Sequence, residues 1–362
     1  MSENASAAER PAASSQVDRS TDRPAGCLRR WLTRRLAGSS QQIFLAVVLV
    51  VLCVALSFAH ESFLTVANIK NIVEANSYRL ILALGMTLVV CSGVMDLSAG
   101  SAISLCGVVM AVALHASMPV WAAVLVGVLT GVALGAINGA LIHFTRINFF
   151  ILTLATSGIY RGISLMVTDG KPITSLGSDF MLLGIGRVGG VQVPVIIVAA
   201  CLLVCVPLLF RTKWGSYILS LGGNADALRK AGVRCGLYRI SVHMVMGVAV
   251  ALTALVITAR LNSAEPNAGM NMELDAITAV IMGGTLISGG AGSILGTVLS
   301  VLILGVIRNG LTLMSVPSDY QQWITGVLLL ASVLLARVRI RSASNGARPT
   351  RQVKQSKGSA AR

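Results

Sequence analysis

Charged side chains make up only 12% of these 362 residues, so the few that stand beside or inside apolar runs are where chemistry should be sought. Asp96 lies in Ser92-Gly-Val-Met-Asp-Leu-Ser-Ala-Gly-Ser101, between two apolar stretches. Glu273 and Asp275 open a third stretch, and Asn138 and Arg161 are embedded in others. An ionisable group at membrane depth is costly and marks a pathway or a buried pair. A carboxylate at a helix junction has another use, accepting backbone N–H bonds as a cap, and Asp96 is placed to take them from Ser98 or its neighbour. Dipole compensation is the same default for Glu273 and Asp275. Asp96, Ser98, Asn138, Glu273 and Asp275 are thus the candidate pathway or gating residues, with capping as the competing role for the acids. Asn138 and Arg161 call for hydrogen bonds inside the bundle.

Other chemistries are missing from the pattern. No His-Glu-x-x-His or Gly-x-Ser-x-Gly motif occurs, so neither a zinc hydrolase nor a serine hydrolase is indicated, and no catalytic or metal-ligating set is expected. His60, His115, His143 and His243 fall near the ends of apolar runs, where interfacial placement accounts for them. Seven cysteines form no Cys-x-x-Cys pair; five lie within apolar runs and read as small hydrophobes rather than disulfides.

A different kind of site stands in the one long charged interruption, Arg211 to Arg239. Within Gly222-Gly-Asn-Ala-Asp-Ala-Leu-Arg-Lys-Ala-Gly232, Asn224 is a good N-cap and Asp226 falls in the first turn. Arg229 and Lys230 fall in the last turn, and Gly232 can end the helix left-handed. A two-turn capped helix is expected over Asn224, Ala225, Asp226, Ala227, Leu228, Arg229, Lys230, Ala231 and Gly232. Such a polar helix pinned between two spans either lies on the membrane surface or seats in the groove of a soluble partner.

The elements around these residues must be membrane spans. Hydrophobic residues are 55% of the chain and mean hydropathy is +0.79, more apolar surface than a soluble domain can hide. The fold class is all-α integral membrane, with about ten transmembrane helices, some short or broken. A span needs about 20 mainly apolar residues, and the candidates are 41–59, 76–92, 98–115, 120–142, 149–167, 193–210, 241–259, 273–287, 293–314 and 321–336. Arg146 and the basic residues of the 211–240 loop mark one side. The other carries Lys70, Lys171 and Arg187 diluted by Glu61, Asp169, Asp179 and Glu265. Positive loops face the cytoplasm, which puts both termini inside.

Three regions follow: a disordered basic tail over 1–40, a transmembrane domain over 41–336 with its cytoplasmic loop at 211–240, and a basic tail over 337–362. The tails hold +11 of the net +15 charge. Flanking a span, that charge reads as contact with anionic membrane lipid, not as a nucleic-acid arm.

Two glycine patterns describe packing. Gly127, Gly131, Gly135 and Gly139 recur every four residues, a stripe that lets a neighbouring helix approach closely. Gly283, Gly284, Gly289, Gly290, Gly292 and Gly296 are too dense for one regular helix and predict a broken helix with a tight turn.

Four separated stretches resemble the ribose-type sugar permeases of bacterial ABC importers, in the same order and over nearly the whole apolar region. They are Ala83 to Ser101, Gly222 to Val233, Glu273 to Thr285 and Tyr320-Gln-Gln322. The chain departs slightly from the common pattern at Met95, Ala99 and Ala231. The resemblance implies a ten-helix permease of the bacterial inner membrane that pairs with a second permease copy. It further implies a periplasmic sugar-binding protein that delivers a pentose, hexose or related polyol. Asn224 to Gly232 would be the coupling helix that docks on a cytosolic ABC ATPase subunit. No Gly-x-x-x-x-Gly-Lys-Ser/Thr loop is present, so no cofactor is expected on this chain, and ATP and Mg belong on the partner ATPase. The competing class, an ion-gradient-driven secondary transporter of small polar solutes, calls for deep acids and inverted halves. Deep acids are nearly absent here, and no convincing internal repeat is found.

Overall fold

The computed structural model of the chain describes residues 25–334 apart from 146, 318, 319, 322, 325, 329, 332 and 333, with side chains described from Gln41 onward. The expectations for most of the N-terminal tail and for the whole C-terminal tail lie outside these residues. Contacts divide the chain into Met1–Ser39 and Ser40–Arg362. Of the first unit only the backbone from Ala25 is described, and it is helical; the second carries everything below.

Eleven helices follow in order: α1 Ala25–Ala59, α2 Val66–Cys91, α3 Ala99–His115, α4 Val120–Thr145, α5 Phe149–Thr168, α6 Ser178–Ile185, α7 Val193–Phe210, α8 Lys213–Lys230, α9 Cys235–Leu261, α10 Met272–Met282 and α11 Ile294–Leu313. The described residues between Tyr320 and Leu334 are helical as well. Seven of these helices are long and apolar enough to cross a membrane. The molecule is apolar outside as well as inside: Trp121, Phe144, Met166 and Leu203 are each more than two-thirds exposed. A lipid-facing surface of this kind is tolerated because the helices satisfy their own backbone hydrogen bonds.

Local chemistry sets the ends. Thr65, Asn148, Thr212 and Ser293 each accept a backbone N–H of the first turn, at 3.3, 2.9, 3.1 and 3.0 Å. Asp169 and Asn262 close α5 and α9 in the left-handed conformation that short polar side chains accept. The second candidate span begins ten residues earlier than expected, at Val66, because Thr65 caps a polar first turn that hydropathy alone does not register. The eighth is shorter than expected, since α10 ends at Met282 where Gly283 and Gly284 begin a turn.

Two short strand pairs depart from the all-α reading. Strands β1 Ile173–Thr174 and β4 Ser263–Ala264 pair antiparallel, as do β2 Arg187–Val188 and β3 Val191–Gln192. The short helix α6 between β1 and β2 carries too few apolar residues to register as a span.

The core forms around α2 and α9, which are buried over most of their length, whereas α7 is buried over a small part. The glycine stripe explains the tightest contact. Gly131 stands against the Gly247 backbone, Gly135 against His243 and Gly139 against Ile240, so α4 and α9 run antiparallel with backbones touching. Gly127 faces the Met110 side chain of α3 instead.

Candidate functional site

Three constellations of polar residues stand out. The first is buried where α3 begins. Asp96 Oδ1 accepts the Ser98 N–H at 2.9 Å and the Ser98 hydroxyl at 2.6 Å. Asn138 Nδ2 on α4 donates to Ser98 Oγ at 2.7 Å, and Tyr160 on α5 donates its hydroxyl to Asn138 Oδ1 at 3.0 Å. Asp96, Ser98, Asn138 and Tyr160 are each at most 4% exposed. The chain Asp96–Ser98–Asn138–Tyr160 thus ties three helices with every link made, which is how buried polar groups are kept. Next to it, Gly100 lies so close to the Glu273 carboxylate and the Gly269 carbonyl that a Cβ would overlap both. Glu273 Oε2 is buried without a hydrogen-bond partner, and Arg161 is the cation whose field reaches it. The bundle hydrogen bond expected of Asn138 is made, to Ser98 and Tyr160, whereas none is made by Arg161 among the described residues.

The second constellation is the exposed segment after α7. Helix α8 is longer than the expected two turns, running from Lys213, and it is broken at Asn224, whose backbone is non-helical. Asn224 Oδ1 accepts the Ala227 N–H at 2.9 Å, and Asp226 pairs with Arg229 at 3.0 Å on the surface. Ala231 caps the helix and Gly232 takes φ +81. Leu228 is buried and Ala225 half-buried, while Asp226, Ala227, Arg229, Lys230 and Ala231 face outward.

Where this segment begins, glycines from three parts of the chain meet. A Cβ on Gly222 would overlap the Cys91 carbonyl and stand 2.6 Å from Gly290 N. One on Gly289 would stand 2.6 Å from Gly93 N and 2.7 Å from the Gly222 Cα. Gly93, Gly289 and Gly290 all have positive φ, and Gly290 N donates to the Cys91 carbonyl at 3.0 Å. The exposed segment is therefore in backbone contact with the end of α2 and with the turn between α10 and α11. Sequence reasoning predicted that turn but not what it touches.

The third constellation lies at the opposite end of α2 and α11. A cavity of about 1120 Å³ is lined by polar side chains including Asn76, Tyr78, Arg79, Arg260, Asp275 and Arg308. Asp275 pairs with Arg308 at its floor. Asp275 is thus not with the other candidate residues; it sits two residues past Glu273 but on the side of α10 that faces α11. Arg79 and Arg308 were not singled out from the sequence. Their signal was there, a lone arginine inside each of two candidate spans.

Together these sites put a polar cavity inside a bundle of apolar helices and a close backbone contact between an exposed helix and the bundle core. Among the described residues no group of three or more His, Cys, Asp or Glu side chains could hold a metal ion.

Known proteins match most of this chain in sequence. Residues 68–333 match the family described as branched-chain amino acid transport system, permease component. The ribose import permease protein of Haemophilus influenzae is 38% identical over 298 residues, covering 81% of this chain and 92% of that protein. The ribose import permease protein of Escherichia coli K12 is 37% identical over 311 residues, covering 85% and 96%. The D-allose transport system permease protein of the same organism is 38% identical over 283 residues, covering 78% and 87%. No solved structure matches the chain.

Proposed function

This chain belongs to the family of permease components of branched-chain amino acid transport systems, and from that membership we propose that it is the membrane-spanning permease subunit of a bacterial ABC importer for a sugar or related polyol. Relatives named for ribose and D-allose support the substrate class. It is a multi-pass protein of the inner membrane with ten spans and both termini in the cytoplasm. Its basic tails flank the permease domain at 1–40 and 337–362 and lie on anionic lipid.

The observation that carries the mechanism is the exposed, capped segment Asn224 to Gly232, preceded directly by Gly222 and Gly223, whose backbone touches the end of α2 and the α10–α11 turn. A cytosolic ABC ATPase docks there and supplies ATP and Mg; a periplasmic sugar-binding protein delivers the cargo at the other face; two permease copies frame the path. Closure of the ATPases pushes the segment, and the glycine contact passes that push to α2, α10 and α11. The result is a shift between inward-open and outward-open populations, driven by the differential affinity of nucleotide and loaded receptor for the two states.

The test is ATP hydrolysis by the reconstituted importer, comparing the native chain with Asp226→Arg plus Ala227→Arg. Both residues are exposed, so the fold is spared while the docking face is changed. Loss of receptor-stimulated hydrolysis by about tenfold or more, with loss of assembly, is expected for a charged clash at such an interface. Solute movement down an ion gradient with no ATPase present would make the chain a secondary transporter and overturn the reading.

A further inference from the structure

The cavity between α2, α10 and α11 carries more positive charge than its walls compensate. Three arginines line it, Arg79, Arg260 and Arg308, and Asp275 is the one acid among its lining residues. The Asp275 carboxylate is engaged by Arg308. Arg79 donates Nη1 to the Ala75 carbonyl at 2.8 Å and lies over the Tyr78 ring, 4.9 Å from its centroid, but its buried Nε has no partner. Among the described residues no carboxylate lies within ion-pair distance of Arg79 or Arg260. The charges of Arg308, Asp275 and Arg260 all act on Arg79, so three guanidinium groups and a single carboxylate share one field.

Cations at membrane depth are costly unless something of opposite charge meets them. Neutral groups stand beside them: Asn76 is 3% exposed, and its Oδ1 lacks any hydrogen-bond partner. An unpaired buried acceptor and an unpaired buried donor on two residues that line the same cavity suit hydroxyls, which both donate and accept. A guanidinium fork matches a carboxylate or phosphate. The cavity volume, about 1120 Å³, exceeds the usual range for small-molecule pockets and accommodates a whole solute, not a headgroup alone.

We propose that this cavity binds an acidic polyol, a solute bearing several hydroxyls and one carboxylate or phosphate, and that it selects against the neutral sugar. The anion sits at Arg79 and Arg260, and the hydroxyls meet Asn76 and Tyr78. That this solute is the transported cargo rests on the importer reading above; that the cavity binds it does not.

The probe is radiolabelled D-gluconate, with sorbitol as its neutral counterpart, the same carbon chain with a hydroxyl in place of the carboxylate oxygens. Binding is measured on the full-length permease in nanodiscs of zwitterionic lipid. Saturable binding is expected, unaffected by about hundredfold excess of sorbitol or D-ribose, and weakened about tenfold in Arg79→Gln, the loss of one charge-assisted contact. Arg260→Gln, at a half-exposed position outside the core, has the same expected effect and stands in should Arg79→Gln fail to fold. Displacement by sorbitol as readily as by D-gluconate overturns the proposal, as does unchanged binding in both variants. So does the lack of saturable binding of D-gluconate or D-glucose 6-phosphate below about 10 mM. Binding abolished by phosphatidylglycerol in the bilayer assigns the cavity to a lipid headgroup and overturns it too. Receptor-stimulated ATP hydrolysis is read separately: its absence beside gluconate binding sinks the importer reading and leaves this one standing.

Discussion

At the residue scale, the cost of losing each member of the buried Asp96–Ser98–Asn138–Tyr160 chain follows from what its removal leaves behind. Ser98→Ala strips a partner from both Asp96 Oδ1 and Asn138 Nδ2. The amide is then a buried donor with no acceptor, a loss of about 2 kcal/mol. Tyr160→Phe removes one hydroxyl but leaves the Ser98–Asn138 bond intact, a loss of about 1 kcal/mol. Thermal unfolding in detergent should therefore rank Ser98→Ala below Tyr160→Phe, and the reverse order would show that the chain is not held through Ser98. Asp96 and Asn138 were legible as polar residues in need of partners, because charge and polarity in an apolar run are local facts. That they need each other's neighbour, through a serine and a tyrosine, was not.

At the element scale, α4 and α9 test how far a glycine stripe controls packing. A Cβ at Gly135 would overlap the His243 carbonyl on α9, and backbone cannot move aside as a side chain can. Gly135→Val should destabilise by about 3 kcal/mol. Gly158, within α5, has nothing within 4 Å of where its Cβ would stand. Gly158→Ala should be neutral or stabilise by up to about 1 kcal/mol, the gain in helix propensity. Parallel melting curves of the two variants decide the matter: a Gly135→Val variant as stable as Gly158→Ala would mean that contact with α9 does not explain the stripe. The stripe's spacing was visible in the sequence, and so was its packing role. Its division between Met110 for Gly127 and α9 for the other three was decided by the fold.

At the scale of the whole molecule, the glycine contact joins the exposed end of α8 to two distant helices. Gly289→Ala introduces strain at φ +79 and a clash with Gly93 and Gly222 without touching the exposed face of Asp226 to Ala231. The reconstituted importer should still assemble and hydrolyse ATP, but with fewer solute molecules moved per ATP. Unchanged stoichiometry would mean that force reaches α2 by another route. The exposed segment itself was well anticipated, since the Asn224 cap and the Gly232 terminus depend on a few adjacent residues. The stretch of α8 from Lys213 that precedes the break at Asn224, and the short helix α6, escaped notice because neither leaves a long apolar run.

The sequence by itself determined that this chain is a helical membrane protein, where most spans run, and which exposed segment is a helix capped at both ends. Hydropathy over twenty residues and capping over four are properties of neighbouring residues, so they survive without a fold. Only the tertiary structure decided which polar groups share a site. Arg79 and Arg308 face one cavity across more than two hundred residues of chain, and Asp275 joins them while Glu273, two positions away, turns to Gly100. Helical rotation of about 100° per residue sends such near neighbours to different walls, and the packing of α2 against α10 and α11 brings distant ones together.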